Sequence, residues 1–271
     1  MLVGMHGFRL EVEAHIITAG AATVENLRQC VRGSGVEALN FVLNPLASGE
    51  VVLSETEREM GAVVCDIGGG TTDLAIYIEG DVWYATVLAL GGDHITSDIA
   101  HGLRMPVAQA EEVKKRHGHA IVKRVGSEET FQMRPFGEDR TAEIRRSDLA
   151  HIASARTEEI FSLVLQEIKR SGYDGLLPAG MVLTGGCSAL PGIAEMAEQV
   201  LGLPVRIARP ENLIGLTDKL DSPAFSTTVG LLHWATLMNE VAPQLQNGRG
   251  PYRGGGNTWE KVRDWLVRLL P

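Results

Sequence analysis

An α/β fold with two glycine-rich turns is predicted by three features of the sequence. An apolar, β-branched run over 62–67 ends at three consecutive glycines, and apolar residues resume over 74–78. A second apolar run, 181–184, ends at a Gly-Gly pair that is followed by the start of a helix. The 271 residues are 44% hydrophobic and alternate strand-like with helix-like patterns, which is typical of α/β proteins.

The residues before the first glycine turn are predicted to form two strands and two helices. Alternation of apolar and polar residues predicts a strand over 8–19, after which Thr23 is predicted to cap a helix. A second strand is predicted over 36–43. The next helix is predicted to begin at Asn44, because Pro45 suits the first turn of a helix.

The first glycine turn is predicted to join two strands and to bind phosphate. Both flanks are apolar or β-branched, so a hairpin fits better than a strand followed by a helix. Glycines expose backbone N–H groups to an anion, and threonines add hydroxyl donors. Asp66, near the end of the first strand, is placed to hold Mg²⁺ through water. The residues predicted to contact phosphate are Gly68, Gly69, Gly70, Thr71 and Thr72.

A glycine-rich hairpin without a ligand is the alternative, but the coincidence of an acid, three glycines and two threonines favours nucleotide binding. These residues are similar to the second phosphate loop of the actin, Hsp70 and sugar-kinase superfamily, whose members close two domains around ATP and Mg²⁺. The resemblance implies an α/β, actin-like ATPase fold with ribonuclease-H-like domains. It also implies a second nucleotide-contacting turn downstream.

The turn after 181–184 resembles the adenosine motif of that superfamily. Gly185 and Gly186 would let the backbone approach the adenine or the ribose, and Ser188 would cap the following helix. Cys187 lies between Gly186 and Ser188 and belongs to the implied nucleoside site. A Gly-Gly turn alone is weak evidence. Its pairing with the first turn, at about the distance of an inserted subdomain, makes it strong.

The residues between the two turns are predicted to form helices and a small exposed sheet. A Gly-Gly turn and a helix are predicted over 91–103, and a charged helix over 106–117. Short alternating pieces over 118–147 indicate the sheet, and 148–171 has the pattern of a long amphipathic helix. The last helix before the tail is predicted to open at Ser226.

Several segments resemble the FtsA family of bacterial cell-division proteins, and the resemblance covers nearly the whole chain. They are 9–12, 45–48, 91–100, 102–104 and 110–114. In actin-like relatives a Glu and a Lys on the helix that matches 110–114 reach the nucleoside. The resemblance therefore implies that Glu111 and Lys114 contact the ribose or the adenine. A surface ion pair, worth a few tenths of a kcal/mol, is the alternative that spacing alone leaves open.

Two departures from the family pattern affect the expected chemistry. A first phosphate loop and a further subdomain would precede the segment 8–19, and this sequence has neither, so we expect an actin-like fold that is incomplete at its N-terminus. Asn44 stands where chaperone relatives place a Glu, and an amide cannot act as a carboxylate base. We expect at most a weak ATPase.

The resemblance also implies a division of the chain into domains. Residues 1–60 are predicted to be the remainder of the first actin-like domain, and 99–172 an inserted subdomain. The nucleotide-binding core of the second domain is predicted over 61–98 and 173–223. The last parts are predicted to be a helix that returns to the first domain, 224–242, a flexible linker, 243–258, and an amphipathic membrane-targeting helix, 259–271.

The predicted tail helix has one apolar face, flanked by charged residues. Two tryptophans and three leucines on a helix that follows a glycine-rich linker favour an interfacial membrane anchor, and the segment is too short to span a bilayer. Docking of the helix on the protein's own core is the alternative. The face consists of Trp259, Val262, Trp265, Leu266, Leu269 and Leu270.

Charge and composition exclude several classes of function. A net charge of −9 argues against nucleic acid as the main partner, because phosphate backbones require a basic surface. The three cysteines are scattered, and neither they nor the eight histidines form a zinc-ligand pattern. The turn at 184–188 lacks the spacing of a nucleophilic serine elbow.

The family resemblance implies a function for the whole molecule. It implies a cell-division adaptor that binds ATP and Mg²⁺, assembles into actin-like filaments and tethers the tubulin-like protein FtsZ to the cytoplasmic face of the membrane at the division site. A phosphotransferase of the sugar-kinase type is an alternative, although it gives no reason for the apolar tail helix. An actin-like protein of pilus assembly is a second alternative.

Overall fold

The structure is a computed structural model that describes residues 6–9, 11, 14–137, 141–211, 215 and 219–247. The chain divides into two units, Met1–His233 and Trp234–Pro271, and only 234–247 of the second unit are described. The strands in the described part are β1 (Ala62–Ile67), β2 (Thr72–Ile78), β3 (Asp81–Leu88), β4 (Thr130–Met133), β5 (Ala142–Arg145), β6 (Met181–Thr184) and β7 (Val205–Ile207). The helices are α1 (Ala21–Gly33), α2 (Asn44–Val52), α3 (Glu55–Met60), α4 (Gly92–Gly102), α5 (Val107–His117), α6 (Arg146–Ser171), α7 (Ile193–Leu201) and α8 (Ser226–Asn247).

Five strands form one mixed sheet in the order β3-β2-β1-β6-β7, and β4 pairs with β5 in a separate two-stranded sheet. β1 and β2 form the predicted antiparallel hairpin, in which Asp66 lies opposite Asp73. β1 runs parallel to β6, and Asp66 lies beside Thr184. Because parallel neighbours end at the same edge of a sheet, the turns that follow β1 and β6 lie next to each other.

Both faces of the central sheet are buried, which explains why β1 and β2 are apolar at nearly every position. Successive residues of a strand point to opposite faces. Val63, Cys65 and Ile67 therefore face the core formed with α4, α5, α6 and α7. Ala62 and Val64 face a smaller core on the other side, formed with the end of α2.

The prediction of strands over 8–19 and 36–43 is wrong, because the described residues of both segments form no strand. A strand is held by hydrogen bonds to a neighbouring strand, and the described part of the chain provides none beside these segments. The capping role of Thr23 is also wrong. α1 begins at Ala21 after Gly20 without a side-chain cap, so Thr23 lies inside the helix.

The other predicted elements agree with the structure. α2 begins at Asn44 with Pro45 in its first turn, and the β4–β5 sheet lies within 118–147. α8 continues through Asn247, so the first positions of the predicted linker are helical. The rest of the linker and the predicted membrane helix lie outside the described residues. Within the described part, no helix is long and apolar enough to cross a bilayer.

Helices α2 and α8 approach each other closely at Gly230. A Cβ atom at Gly230 would lie 1.8 Å from the carbonyl oxygen of Ala47, which is a backbone atom of α2. Such a distance is far below van der Waals contact, so an added methyl group would force the two helices apart. Glycine at this position is therefore required by packing.

We expect Gly230→Ala to lower the free energy of unfolding by about 2 kcal/mol or more, because the α2–α8 contact cannot accommodate the methyl group. Urea unfolding followed by circular dichroism measures this change. Gly33→Ala is the matched control: a Cβ atom there meets nothing within 4 Å, and Ala favours a helix. Equal stability of the two variants would contradict the close approach of α2 and α8.

An ion pair joins β7 to the start of α3. Arg206 donates hydrogen bonds of 2.6 and 2.7 Å to the carboxylate of Glu57, which also accepts from the backbone N–H of Ser54. The hydrogen bond from Arg206 is the main cause that lowers the pKa of Glu57 to about 2, although burial opposes it. The folded state therefore favours the charged carboxylate.

Because the pKa of Glu57 is lowered on folding, its stabilisation is complete above the ordinary value of 4.5 and is lost as the pH falls toward 2. We expect Glu57→Gln to lower the free energy of unfolding by about 2 kcal/mol at neutral pH, and this difference to narrow below pH 4.5. Urea unfolding over a pH series tests this expectation. Glu55→Gln, an exposed change on the same helix, is the control. A loss that does not vary with pH would contradict the ion pair.

Candidate functional site

A cavity of about 510 Å³ opens at the edge of the sheet where β1 and β6 end. Its lining comes from segments that are far apart in the sequence. They are the turn after β1, the start of α4, the middle of α5, the turn after β6 and the residues just before α8. The lining residues used below are Gly68, Gly69, Gly92, Asp93, Glu111, Lys114, Lys115, Gly186, Cys187, Leu190, Pro191 and Ala224.

The turn after β1 is held by the start of α4. The backbone N–H groups of Gly92 and Asp93 donate to the carbonyl oxygens of Gly68 and Gly69 at 2.9 and 2.8 Å. A Cβ atom at Gly91 would lie only 2.4 Å from the Gly69 oxygen, so the two turns can pack together only through glycine. The pair 91–92 was predicted as a turn, but its place in this cavity was missed.

The predicted phosphate contacts divide into two groups. Gly68 and Gly69 line the cavity, whereas Gly70 is not among the lining residues. The Thr72 hydroxyl is buried and donates to the carbonyl oxygen of Leu90 at 2.8 Å. The Thr71 hydroxyl donates to a carboxylate oxygen of Asp73. Both hydroxyls therefore hold protein groups, and their contact with phosphate stays a prediction.

Two carboxylates lie side by side, one near the end of β1 and one near the start of β2. Asp66 and Asp73 are cross-strand neighbours, and each is less than a tenth exposed. Burial raises the pKa of both. The hydrogen bond from the Thr227 hydroxyl opposes the shift at Asp66, and the hydrogen bond from the Thr71 hydroxyl opposes it at Asp73.

Carboxylate and amide oxygens are the ligands that Mg²⁺ prefers, and the ion usually keeps several of its waters. Asp66 and Asp73, with Asn44 near Asp73, supply such oxygens, so this donor set fits a hydrated Mg²⁺. Asp73 was not predicted as a metal-facing residue. Its signal is the antiparallel hairpin, which places it opposite Asp66. In the described part, no cluster of three or more histidine, cysteine or acidic residues has metal-site geometry.

Glu111 lies between two lysines on α5. The Lys114 ammonium contacts three acceptors, namely the Gly92 carbonyl oxygen at 2.9 Å, the Thr96 hydroxyl at 2.7 Å and the Glu111 carboxylate at 2.6 Å. Lys115 pairs with the other Glu111 oxygen at 3.0 Å. Burial acts to raise the pKa of Glu111, but hydrogen bonds from Lys114, Thr96 and Lys115 lower it to about 2.

The two lysines differ in what they can offer a ligand. An ammonium group has three donors, and the three acceptors around buried Lys114 use all of them. The side chain of Lys115 is 70% exposed and lines the cavity, although it was not predicted as a site residue. Because Lys114 is buried, the Glu111–Lys114 pair is not a surface ion pair. A contact of Glu111 and Lys114 with the nucleoside stays a prediction.

The turn after β6 packs directly on the carboxylate of Asp66. Gly185 has a φ of +85°, and a Cβ atom there would lie 2.4 Å from Oδ1 of Asp66. Gly186 and Cys187 line the cavity, and burial raises the pKa of the Cys187 thiol to about 11. The thiol is thus protonated at neutral pH and a poor nucleophile.

The capping role predicted for Ser188 is wrong. Its hydroxyl is buried and donates to the carbonyl oxygen of Gly185 at 2.7 Å, so it closes the turn after β6. α7 begins only at Ile193, after Gly192, and has no side-chain cap. Ser188 therefore shapes the backbone that Gly186 and Cys187 present to the cavity, while its own contact with a nucleotide stays a prediction.

The sheet, the two helical layers and the glycine-lined cavity define an actin-like α/β protein, as the sequence predicts. MreB5 of Spiroplasma citri, solved with bound ADP, matches with a TM-score of 0.65 at 21% identity, covering 86% of this chain and 69% of that chain. The MamK double helical filament matches with a TM-score of 0.59 at 19% identity, covering 80% of this chain and 66% of that chain. At these identities the likeness shows the fold alone.

Sequence comparison identifies the family. The family model described as "Cell division protein FtsA" matches residues 63–230. The cell division protein FtsA of Neisseria meningitidis serogroup B is 40% identical over 266 residues, which is 97% of this chain. The chain belongs to the FtsA family of cell-division proteins, so the resemblance seen in the sequence is confirmed. This chain spans 64% of the length of the meningococcal relative.

Proposed function

We propose that this chain binds ATP and Mg²⁺ in the cavity at the sheet edge and acts in cell division as a nucleotide-dependent adaptor. One observation carries the proposal. The glycine turns at 68–70, 91–92 and 185–186 converge around one cavity that also contains the Glu111 carboxylate. Bare backbone around a cavity is what close approach to phosphate and ribose requires.

The lining residues suit different parts of the nucleotide. Backbone groups of 68–70, supported by the start of α4, would hold the phosphates. Leu190 and Pro191 offer an apolar wall to a base, and the Glu111 carboxylate can accept hydrogen bonds from ribose hydroxyls. The ammonium of Lys115, which pairs with Glu111 at 3.0 Å on a side chain that is 70% exposed, adds a positive charge to the lining.

Asp66 would hold Mg²⁺ through water, with Asp73 and Asn44 beside it. Bound Mg²⁺ supplies a positive charge that neutralises phosphate oxygens. The same charge would favour the ionised forms of Asp66 and Asp73, which burial disfavours. Asn44 cannot accept a proton as a catalytic base, which supports slow hydrolysis and a role as a nucleotide-gated switch.

The adaptor part of the proposal rests on family membership. We infer that the protein self-associates into actin-like filaments, binds FtsZ and attaches to the cytoplasmic face of the membrane at the division site. The fold shared with the MamK double helical filament supports self-association. The apolar face predicted over 259–271 supports attachment to the membrane. A filament would hold many copies of this helix at the membrane surface and so strengthen the weak binding of each copy.

Flotation with anionic liposomes, FtsZ, ATP and Mg²⁺ tests the adaptor role. We expect the native chain to carry FtsZ to the liposome fraction, and a chain that ends at Asn257 to leave FtsZ and itself behind. Replacing ATP and Mg²⁺ with EDTA should reduce the recovered FtsZ if assembly depends on nucleotide. Equal recovery with the native and shortened chains would contradict membrane attachment through the tail. Recovery of the native chain without FtsZ would contradict the tether.

A further inference from the structure

The start of α8 contacts the carboxylate proposed to face Mg²⁺. The hydroxyl of Thr227 donates to Oδ2 of Asp66 at 2.8 Å, although the two residues are 161 positions apart in the sequence. Ala224, a few residues earlier, lines the cavity itself. The segment that opens α8 is therefore part of the wall around the proposed nucleotide site.

The Asp66 carboxylate is held from two sides. Oδ1 lies against Gly185, where a Cβ atom would come within 2.4 Å. Oδ2 accepts from Thr227, whereas the hydroxyl of Ser48 on α2 donates to the carbonyl oxygen of Asn44 at 3.0 Å. A neutral hydroxyl donor such as that of Thr227 fixes the direction of a metal-facing carboxylate without cancelling its charge.

The backbone that presents Thr227 is itself fixed. The buried hydroxyls of Ser226 and Thr184 are 2.7 Å apart, and the backbone N–H of Gly185 donates to the carbonyl oxygen of Pro223 at 3.2 Å. Gly230, one turn further along α8, packs on the backbone of α2. Thr227 therefore holds Asp66 from a rigid position.

We propose that Thr227 is a positioning residue, which orients the Asp66 carboxylate toward the hydrated Mg²⁺ of the bound nucleotide. The proposal rests on the proposed nucleotide function and deepens it. It predicts that the hydroxyl of Thr227 matters for the metal-dependent part of nucleotide affinity and not for the contacts that the nucleotide makes with glycine backbone.

The test compares native protein, Thr227→Val and Thr227→Ser as full chains. The dissociation constant for ATP is measured by calorimetry, once with excess Mg²⁺ and once with EDTA. With Mg²⁺ we expect Thr227→Val to bind ATP about tenfold more weakly than the native protein, because loss of a group that orients a metal ligand costs about 10- to 100-fold in metal affinity. Thr227→Ser keeps the hydroxyl and should have the native dissociation constant. With EDTA the three proteins should bind ATP equally.

Equal weakening of Thr227→Val with Mg²⁺ and with EDTA would show a purely structural role and overturn the positioning proposal alone. If the native protein binds ATP equally well in both conditions, or not at all, then the proposed Mg²⁺–ATP function fails and this proposal fails with it. If Thr227→Val does not fold, Thr227→Ala, which also removes the hydroxyl that donates to Asp66, takes its place. That variant should weaken ATP binding with Mg²⁺ only, and weakening in both conditions would again overturn the proposal.

Discussion

Replacement of Lys114 by Met is expected to lower the free energy of unfolding by about 3 kcal/mol. The ammonium is buried and contacts the Gly92 carbonyl oxygen, the Thr96 hydroxyl and the Glu111 carboxylate. Met fills a similar volume but donates no hydrogen bond, so each of these three groups loses its contact with the ammonium. Since Gly92 and Thr96 belong to α4 and Glu111 to α5, the loss falls on the contact between the two helices.

Urea unfolding of Lys114→Met, with Lys115→Met as control, measures this effect. The Lys115 side chain is 70% exposed and its ion pair with Glu111 lies at the surface, so its loss should cost less than about 0.5 kcal/mol. Similar stability of the two variants would contradict the assignment of Lys114 as the buried link between α4 and α5.

Replacement of Gly91 by Ala is expected to weaken ATP binding about 100-fold, because the first glycine turn must move. An added Cβ atom would lie 2.4 Å from the Gly69 oxygen and 2.8 Å from the Gly68 oxygen, and both are backbone atoms of that turn. Relief of this clash shifts the groups proposed to hold phosphate, and shifts of about 1 Å at a binding site can cost about 100-fold.

Calorimetric titration with ATP and Mg²⁺ measures the loss, and Gly175→Ala is the matched control. A Cβ atom at Gly175 meets nothing within 4 Å, and this residue is not among those that line the cavity. The control should bind ATP as the native protein does. Native-like binding by Gly91→Ala would show that the turn at 68–70 does not hold the nucleotide in the way proposed.

Local patterns in the sequence were enough to predict the elements that carry the two glycine turns. The β1–β2 hairpin was predicted because apolar residues flank the glycines on both sides, and α2 because Pro45 suits a first turn. The predicted strand over 8–19 was wrong because alternation describes a surface pattern only. Whether such a segment forms a strand depends on a neighbour to which it can hydrogen-bond.

The parts of the site that were missed depend on contacts between distant residues. No local pattern reveals that Gly91 packs on Gly69, or that Thr227 donates to Asp66. The spacing of Glu111 and Lys114 was compatible with an ion pair and with a ligand site. Only the burial of Lys114 among three acceptors shows that its ammonium holds α4 and α5 together.

Hydrogen–deuterium exchange of the native chain, with and without ATP and Mg²⁺, tests whether the nucleotide binds in this cavity. We expect slower exchange on ATP addition in four segments that surround the cavity, 65–72, 91–96, 111–115 and 184–191, and in the start of α8. We expect little change in the β4–β5 sheet, which contributes nothing to the cavity lining. Unchanged exchange in the four segments at saturating ATP, or protection confined to other parts of the chain, would contradict the assignment of this cavity as the nucleotide site.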